Sequence, residues 1–217
     1  MEIVWYIAYK KKENMIKTVC VFSSSSSAVN SVYRDTAKDL GKRLGQEGFD
    51  LIFGGDDVGL MGIIAWTAQN HGAKVTGVIP EPLVGKGIAY QDVDELIISN
   101  NLHDRKEIIE PKSDAFIELP GSFGTLEEIM EILTLKQLQF HNKPIVFINT
   151  NNYYDNLIAQ FEMGYQENFA KKEYKELYYV SESAENAIDY IKHYTPKQLP
   201  SKWFWNVTLW SWELKTG

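Results

Sequence analysis

The chain has 217 residues, of which 44% are hydrophobic and 24% are charged, with a formal net charge of −7. This length suits one well-buried domain, and the acidic balance argues against a nucleic-acid groove, which needs a basic stripe. Cys20 is the only cysteine, so no internal disulfide can form and we expect a reducing, cytoplasmic location. No apolar run approaches the ~20 residues that span a bilayer, so no membrane partner is predicted.

Apolar, β-branched runs alternate with longer amphipathic stretches, which is typical of an α/β protein with a parallel sheet. The predicted strands are Thr18–Phe22, Asp50–Phe53, Lys74–Ile79, Glu95–Ile98, Ala115–Leu119, Ile145–Ile148 and Tyr178–Val180. Helices are predicted within 31–49, 59–72, 102–112, 125–140, 152–169 and 183–194. We predict one domain over 15–195, preceded by an extension (1–14) and followed by a Trp-rich tail (196–217).

Three loops that could bind an anion each follow a predicted strand. The first, FSSSSSAV, offers hydroxyls and backbone N–H groups around Ser25, although a serine run is also typical of a flexible loop. The second, FGGDDVGLMG, has glycines such as Gly55 that permit close approach to a ligand, but it lacks the dinucleotide-binding spacing and equally suits a packing turn. Ligands bind such sheets at the carboxyl ends of the strands, so three loops together favour a ligand site.

The third loop, PGSFGT, joins an apolar strand to an acidic helix. Gly121 and Gly124 break regular structure, and Thr125 is predicted to be the N-cap, with Glu127 and Glu128 in the first helical turn. A strand, a glycine turn and a helix N-terminus direct backbone N–H groups at an anion. We therefore predict a phosphate cradle here, the alternative being a simple tight turn.

Charged side chains near these loops could supply the chemistry. The segment NLHDRKEIIE places Arg105 beside Lys106, which is either a solvated helix face or a pair of cations for a phosphate, since arginine matches phosphate oxygens with a planar fork. Glu128 beside a phosphate-binding turn suits cleavage of a glycosidic bond, because a carboxylate stabilises the positive charge of the departing sugar. The four histidines lack metal-ligand spacing, so no metal site is predicted.

Together these motifs resemble the LONELY GUY (LOG) family, whose members were long labelled lysine decarboxylases. PGSFGTLEE is similar to the family's PGGxGTxxE signature, and LHDRK is similar to its MHxRK element. GGDDVGLMG resembles GGGxxGLMG, VTGVIP recurs, and TLKQLQFHNKP is similar to T-x-x-Q-L-x-x-H-x-K-P. The resemblance covers residues 17–194, nearly the whole predicted domain.

The resemblance implies a Rossmann-like, doubly wound parallel sheet with helices on both faces, assembled as a homodimer. It implies hydrolysis of nucleoside 5′-monophosphates, in many members a cytokinin riboside monophosphate, to a free base and ribose 5-phosphate without a metal or cofactor. By this resemblance Arg105 and Glu128 are the catalytic pair. The implied substrate-binding residues are Lys106, Gly55, Gly121, Ser122, Gly124, Thr125 and Ser25.

The stretch LEEIMEILTLKQLQF supports the expected dimer independently, because it is apolar nearly all round and the sheet can cover only one side of it. We expect a symmetry-related helix to cover the other side. The Trp-rich tail is expected to pack on the domain, the alternatives being an interface or a membrane surface.

Two positions depart from the family pattern. Ser122 replaces the second glycine of the signature, which we expect to be tolerated, and Asp56 replaces the third glycine of the middle loop. A carboxylate facing a phosphate would repel it, so Asp56 either weakens binding or points away and caps the next helix. These departures leave open a non-catalytic nucleotide- or cofactor-binding protein. A pyridoxal phosphate decarboxylase is rejected, because no lysine stands in a context that suits a Schiff base.

Overall fold

The sheet confirms the predicted α/β class. The computed structural model describes residues 16–202, so the predicted extension and residues 203–217 of the tail lie outside the described part. Seven parallel strands form one sheet in the order β4-β3-β2-β1-β5-β6-β7. The strands are β1 (Thr18–Phe22), β2 (Asp50–Phe53), β3 (Val75–Pro80), β4 (Glu95–Ser99), β5 (Ala115–Glu118), β6 (Ile145–Ile148) and β7 (Tyr179–Ser181).

Helices cover both faces of this sheet, as the doubly wound architecture requires. They are α1 (Ser31–Gln46), α2 (Gly59–Asn70), α3 (Glu81–Val84), α4 (Leu102–Lys112), α5 (Phe123–Gln137), α6 (Asp155–Gln166) and α7 (Ala184–Lys192), with 3₁₀ turns at Thr150–Asn152 and Lys172–Leu177. Val19 and Val21 point into a core shared with α1, α2 and α7. Cys20 and Phe22 point into the opposite core, shared with α4, α5 and α6. Strands buried on both faces read as continuous apolar runs, which explains why their bounds were predictable.

The helix boundaries follow local signals. Gly48 adopts φ +79° just after α1, the left-handed conformation that glycine commonly takes where a helix ends. The Asn101 side chain accepts hydrogen bonds from the backbone N–H groups of His103 (2.8 Å) and Asp104 (3.0 Å), and so caps α4. That helix ends one residue after Pro111, close to the predicted stop. Within residues 16–202, no helix combines the length and the apolar character needed to cross a membrane.

The predicted start of α5 was wrong. The helix begins at Phe123 with Ser122 as its N-cap, so Thr125 is not the N-cap and Glu128 lies beyond the first turn. The physical reason is that Thr125 packs its side chain over Gly121, which fixes it inside the helix. In the sequence, Thr125 before Glu127 and Glu128 resembles an N-cap, and this pattern does not reveal that Thr125 already lies inside the helix.

Candidate active site

The candidate site lies at the carboxyl edge of the sheet, where the loops after β1, β2 and β5 meet. These three strands are neighbours in the order β2-β1-β5, so the loops that follow them converge as predicted. The serine loop packs directly on the start of α2, because the backbone N–H of Leu60 donates to the carbonyl of Ser24 at 2.9 Å. A Cβ on Gly59 would overlap the backbone of Ser25, so this contact depends on a glycine.

Arg105 and Glu128 form a buried ion pair at the centre of this edge. Arg105 on α4 donates from Nη1 to Glu128 Oε1 on α5 at 2.5 Å, and from Nε to the Val78 carbonyl at 2.9 Å. Only 9% of Arg105 and 7% of Glu128 is exposed, so the alternative of a solvated charge run is wrong for Arg105. Burial raises the pKa of Glu128, and the neighbouring guanidinium opposes that rise. The structure thus joins the two residues that the sequence assigned to catalysis.

The guanidinium of Arg105 fits against the glycine loop. A Cβ on Gly54 would collide with Arg105 Nη2, so only glycine leaves room for the side chain to reach across the end of β2. Gly55 adopts φ +83° and packs beside Ile79, which supports the packing-turn interpretation of this loop and leaves its predicted role in substrate binding a prediction.

Lys106 is paired with acids on the facing helix. Its ammonium donates hydrogen bonds to Glu127 and Glu131 of α5, and only 7% of the residue is exposed. Burial lowers the pKa of Lys106, but the bonds to the two carboxylates outweigh it and raise the pKa above its ordinary value. A bound phosphate at Lys106 would therefore have to share or displace these acids.

The cradle loop, residues 120–125, has one tightly packed glycine and an open end. Gly121 and Thr125 are buried, and a Cβ at Gly121 would overlap the Thr125 side chain. Ser122 and Gly124 are exposed, and a Cβ at Gly124 would meet no atom of the described residues within 4 Å. The start of α5 therefore presents accessible backbone to the space above the sheet, which is the arrangement that binds anions.

Two tyrosines hold the cradle loop, although no sequence motif marks them. Tyr153 donates from its hydroxyl to the Gly121 carbonyl at 2.7 Å, and the Tyr154 hydroxyl lies 2.8 Å from the Leu119 carbonyl oxygen. Tyr154 is only 2% exposed, whereas Tyr153 is 44% exposed beside Tyr33, whose ring centroid is 5.8 Å away. The stretch NNYYDNL matches no known motif, so its residue pattern does not mark the two tyrosines as part of the site.

Asp56 is buried and does not cap α2. The N-cap of that helix is Val58, with no side-chain cap bond. Asp56 is 7% exposed, its Oδ1 has no hydrogen-bond partner among the described residues, and its backbone bridges Ala89. Burial raises its pKa, and Arg105 lowers it. The alternative in which Asp56 points away and caps the next helix is therefore wrong.

The segment TLKQLQFHNKP lies at the end of α5 that is away from the cradle loop. Lys136 lies in the last turn of α5, about 20 Å along the helix axis from Phe123. Its ammonium donates to the Leu177 carbonyl at 2.8 Å, and burial lowers its pKa to about 8. His141 bonds the Ile132 carbonyl at 3.0 Å, so these side chains tie α5 to its surroundings, remote from Glu128. Lys136 is thus a lysine with a lowered pKa, but it lies far from the cradle loop.

Comparison with known proteins identifies the class of protein. Residues 61–191 match the family model described as "Possible lysine decarboxylase". The chain belongs to this family, which includes the LOG proteins, so the resemblance stated from the motifs is confirmed.

Curated relatives carry more specific names. The chain is 39% identical to the "Probable cytokinin riboside 5'-monophosphate phosphoribohydrolase LOGL1" of Oryza sativa subsp. japonica, over 82% of this chain and 79% of the relative. It is 35% identical to the "Cytokinin riboside 5'-monophosphate phosphoribohydrolase LOG1" of Arabidopsis thaliana, over 90% of this chain and 92% of the relative.

Solved structures share the Rossmann-type fold. The molybdenum cofactor carrier protein of Chlamydomonas reinhardtii matches with a TM-score of 0.62 and 22% identity, over 82% of this chain and 97% of that one. The molybdenum cofactor binding protein of Rippkaea orientalis matches with the same TM-score and 23% identity, over 82% of this chain and 96% of that one. At these identities the likeness is one of fold. In the part of the chain that the structure describes, no cluster of three His, Cys, Asp or Glu residues could hold a metal.

Proposed function

We propose that this protein hydrolyses the N-glycosidic bond of nucleoside 5′-monophosphates, of the cytokinin riboside or adenosine monophosphate type, to a free base and ribose 5-phosphate. The observation that carries this proposal is the buried Arg105–Glu128 pair beside the cradle loop, since it puts a carboxylate next to an anion-binding helix start. The names of the curated relatives support the same reaction class.

In this mechanism Glu128 acts as a carboxylate. Water attacks the anomeric carbon as the bond to the base nitrogen breaks, and the bonding electrons leave with the base. The water loses one proton as it becomes the hydroxyl of ribose 5-phosphate, and the base takes up one proton, so the step balances. Glu128 stabilises the positive charge that develops on the sugar and orients the water. Because burial alone would favour the neutral acid, we assign to Arg105 the task of keeping Glu128 ionised and fixed in direction.

The remaining assigned residues would hold the substrate. Backbone N–H groups of Ser122, Gly124 and Thr125 open α5 and would bind the phosphate, with Gly121 allowing Thr125 to pack beneath them. Lys106 would add positive charge from α4 if its ammonium bonded the phosphate as well as, or in place of, Glu127 and Glu131. We assign Ser25 and Gly55 to the rim of the same site, on the neighbouring loops.

A single incubation tests the reaction and separates it from the non-catalytic alternative. Adenosine monophosphate is mixed with the protein, and free adenine and ribose 5-phosphate are followed by chromatography while binding is measured by calorimetry. The proposal predicts release of both products, abolished in Glu128→Ala. Tight binding with no release would favour a nucleotide- or cofactor-binding protein of this fold, whose solved relatives include cofactor carriers.

We further propose a homodimer with α5 at or near its interface, in the cytoplasm. Ile129, Ile132 and Leu133 of α5 are buried against the sheet, while Met130 is 38% and Leu138 is 40% exposed on its other sides. An exposed apolar helix side is stabilised when a symmetry-related copy covers it. Light scattering at micromolar concentration should give twice the chain mass, and a monomer mass would contradict the dimer.

A further inference from the structure

Glu118 is an acid buried directly before the cradle loop. It is the last residue of β5, it is 0% exposed, and its Oε2 has no hydrogen-bond partner among residues 16–202. A carboxylate in such a place loses its hydration without compensation, which is among the costliest arrangements in a protein. The state of this acid therefore needs an explanation.

The hydroxyl of Tyr154 supplies it. Tyr154 Oη lies 3.0 Å from Glu118 Oε1 and 2.8 Å from the Leu119 carbonyl oxygen. A phenol carries one hydrogen, and both neighbours are pure acceptors if Glu118 is ionised. One of the two short distances would then join two oxygen atoms without a hydrogen. Both contacts are hydrogen bonds only when Glu118 carries a proton.

The surrounding charges favour the same state. Three titratable groups face Glu118. They are Tyr154, which immediately precedes α6, Glu128 on α5 and the thiol of Cys20 on β1. Burial raises the pKa of Glu118 well above its ordinary value, the bond from Tyr154 lowers it, and the charge of Glu128 raises it again. Arg105 is bonded to Glu128 rather than to Glu118, so a second ionised acid here would oppose the catalytic carboxylate.

We propose that Glu118 is a positioning residue that stays a neutral carboxylic acid and donates to Tyr154 Oη, so that Tyr154 donates in turn to the Leu119 carbonyl and holds the start of the cradle loop. The relay runs Glu118 O–H to Tyr154 Oη, and Tyr154 O–H to the Leu119 oxygen. If Glu118 lost its proton, the tyrosine hydrogen would turn to the carboxylate and Leu119 would be released. The strand end that carries the cradle loop is thus fixed by one buried proton.

Infrared difference spectroscopy at neutral pH tests the proton directly. The wild-type protein should show the C=O stretch of a protonated carboxylic acid, and Glu118→Gln should lack it. In Tyr154→Phe the band should remain but shift, since the acid has lost its acceptor. Identical carboxylic acid bands in wild type and Glu118→Gln, or no such band in the wild type, would overturn the proposal.

Thermal unfolding gives a second readout that needs no turnover. An acid whose pKa is raised in the folded state holds its proton while the unfolded chain releases it, so stability is lost as pH rises above the unfolded pKa of about 4.3. Glu118→Gln should therefore gain melting temperature relative to wild type between about pH 5 and about pH 8. A constant difference across this range would contradict a raised proton affinity.

The kinetic part rests on the proposed function. Tyr154→Phe should lower kcat/KM for adenosine monophosphate by roughly two- to tenfold, as expected for loss of one buried hydrogen bond, mainly by raising KM. Tyr174→Phe is the matched control, because its hydroxyl bonds the Pro200 carbonyl at 3.2 Å, away from the site. Glu118→Gln can donate to Tyr154 as the acid does, so it should keep more activity than Tyr154→Phe.

Equal losses in Tyr154→Phe and Tyr174→Phe would show that the hydroxyl of Tyr154 does not position the loop, and would overturn the proposal. A wild-type protein that releases no base would refute the proposed function instead. The infrared and unfolding measurements would still decide the state of Glu118, so the two failures are distinguishable.

Discussion

Replacing Arg105 by lysine separates the geometry of the proposed catalytic pair from its charge. The guanidinium makes two directed bonds at once, to Glu128 at 2.5 Å and to the Val78 carbonyl at 2.9 Å, while it packs on Gly54. A lysine ammonium keeps the charge but is a single point on a flexible stem, and it cannot reproduce the planar fork. We expect Arg105→Lys to retain one of the two bonds and to lose the direction of Glu128.

The size of the effect follows from the bond that is lost. A buried hydrogen bond to a charged group contributes about 1.5–3 kcal/mol, and each 1.36 kcal/mol corresponds to a tenfold change in rate. Arg105→Lys should therefore lower kcat/KM by roughly 10- to 150-fold. Arg105→Ala should also cost about 3–5 kcal/mol of folding stability, because it leaves the buried Glu128 without a partner.

The assay is release of adenine from adenosine monophosphate, with the melting temperature of each variant measured in the same buffer. Arg43→Lys serves as the control for the same charge-conserving change away from the pair, because Arg43 lies on α1 and bonds Asp39. Turnover of Arg105→Lys within about threefold of wild type would show that the direction set by the guanidinium is not required, since such a small loss corresponds to less than one typical hydrogen bond.

Three further predictions concern the same edge of the sheet. Gly121→Ala should lower the melting temperature because its Cβ overlaps Thr125, whereas Gly124→Ala should leave stability unchanged and weaken nucleotide binding, as thermal unfolding and calorimetry would show. Replacing Arg105 by methionine should raise the pKa of Glu128, because the opposing charge is gone, and so shift the acid limb of the kcat profile to higher pH. Asp56→Gly should tighten nucleotide binding by no more than about tenfold at low salt, since two strand spacings, on the order of 10 Å, separate β2 from the cradle loop; a larger gain, or one that salt leaves unchanged, would contradict this placement.

The sequence predicted the sheet closely because β1, β2, β3, β5 and β6 are buried nearly throughout and carry no competing periodicity. All seven strands were placed within one residue of their observed bounds, whereas the N-cap of α5 was placed three residues too late. The error arose because Thr125 has the composition of a cap but the packing of a core residue over Gly121. Such a distinction depends on a contact between neighbouring turns, which a pattern of residue types does not contain.

The candidate site was predictable only where a motif marked it. Arg105 and Glu128 were named from motifs 23 residues apart, and the fold brings them together on α4 and α5. Glu118 and Tyr154 were missed because neither belongs to a motif. Their role becomes visible only in the folded protein, where the Tyr154 hydroxyl lies 3.0 Å from Glu118 Oε1. Of the two alternatives for Asp56, the helix cap was wrong for a similar reason, since the burial of its carboxyl is a property of the folded loop.

In the proposed reaction, Glu128 acts as a carboxylate on the glycosidic bond of a nucleoside 5′-monophosphate. The most direct test of this reaction is the rate at which wild type and Glu128→Gln release adenine and ribose 5-phosphate from adenosine monophosphate. We predict equal amounts of the two products from wild type, and a rate at least about 100-fold lower in a Glu128→Gln protein that still binds the nucleotide. Wild-type rates in Glu128→Gln, or a wild type that binds the nucleotide and leaves it intact, would contradict the account.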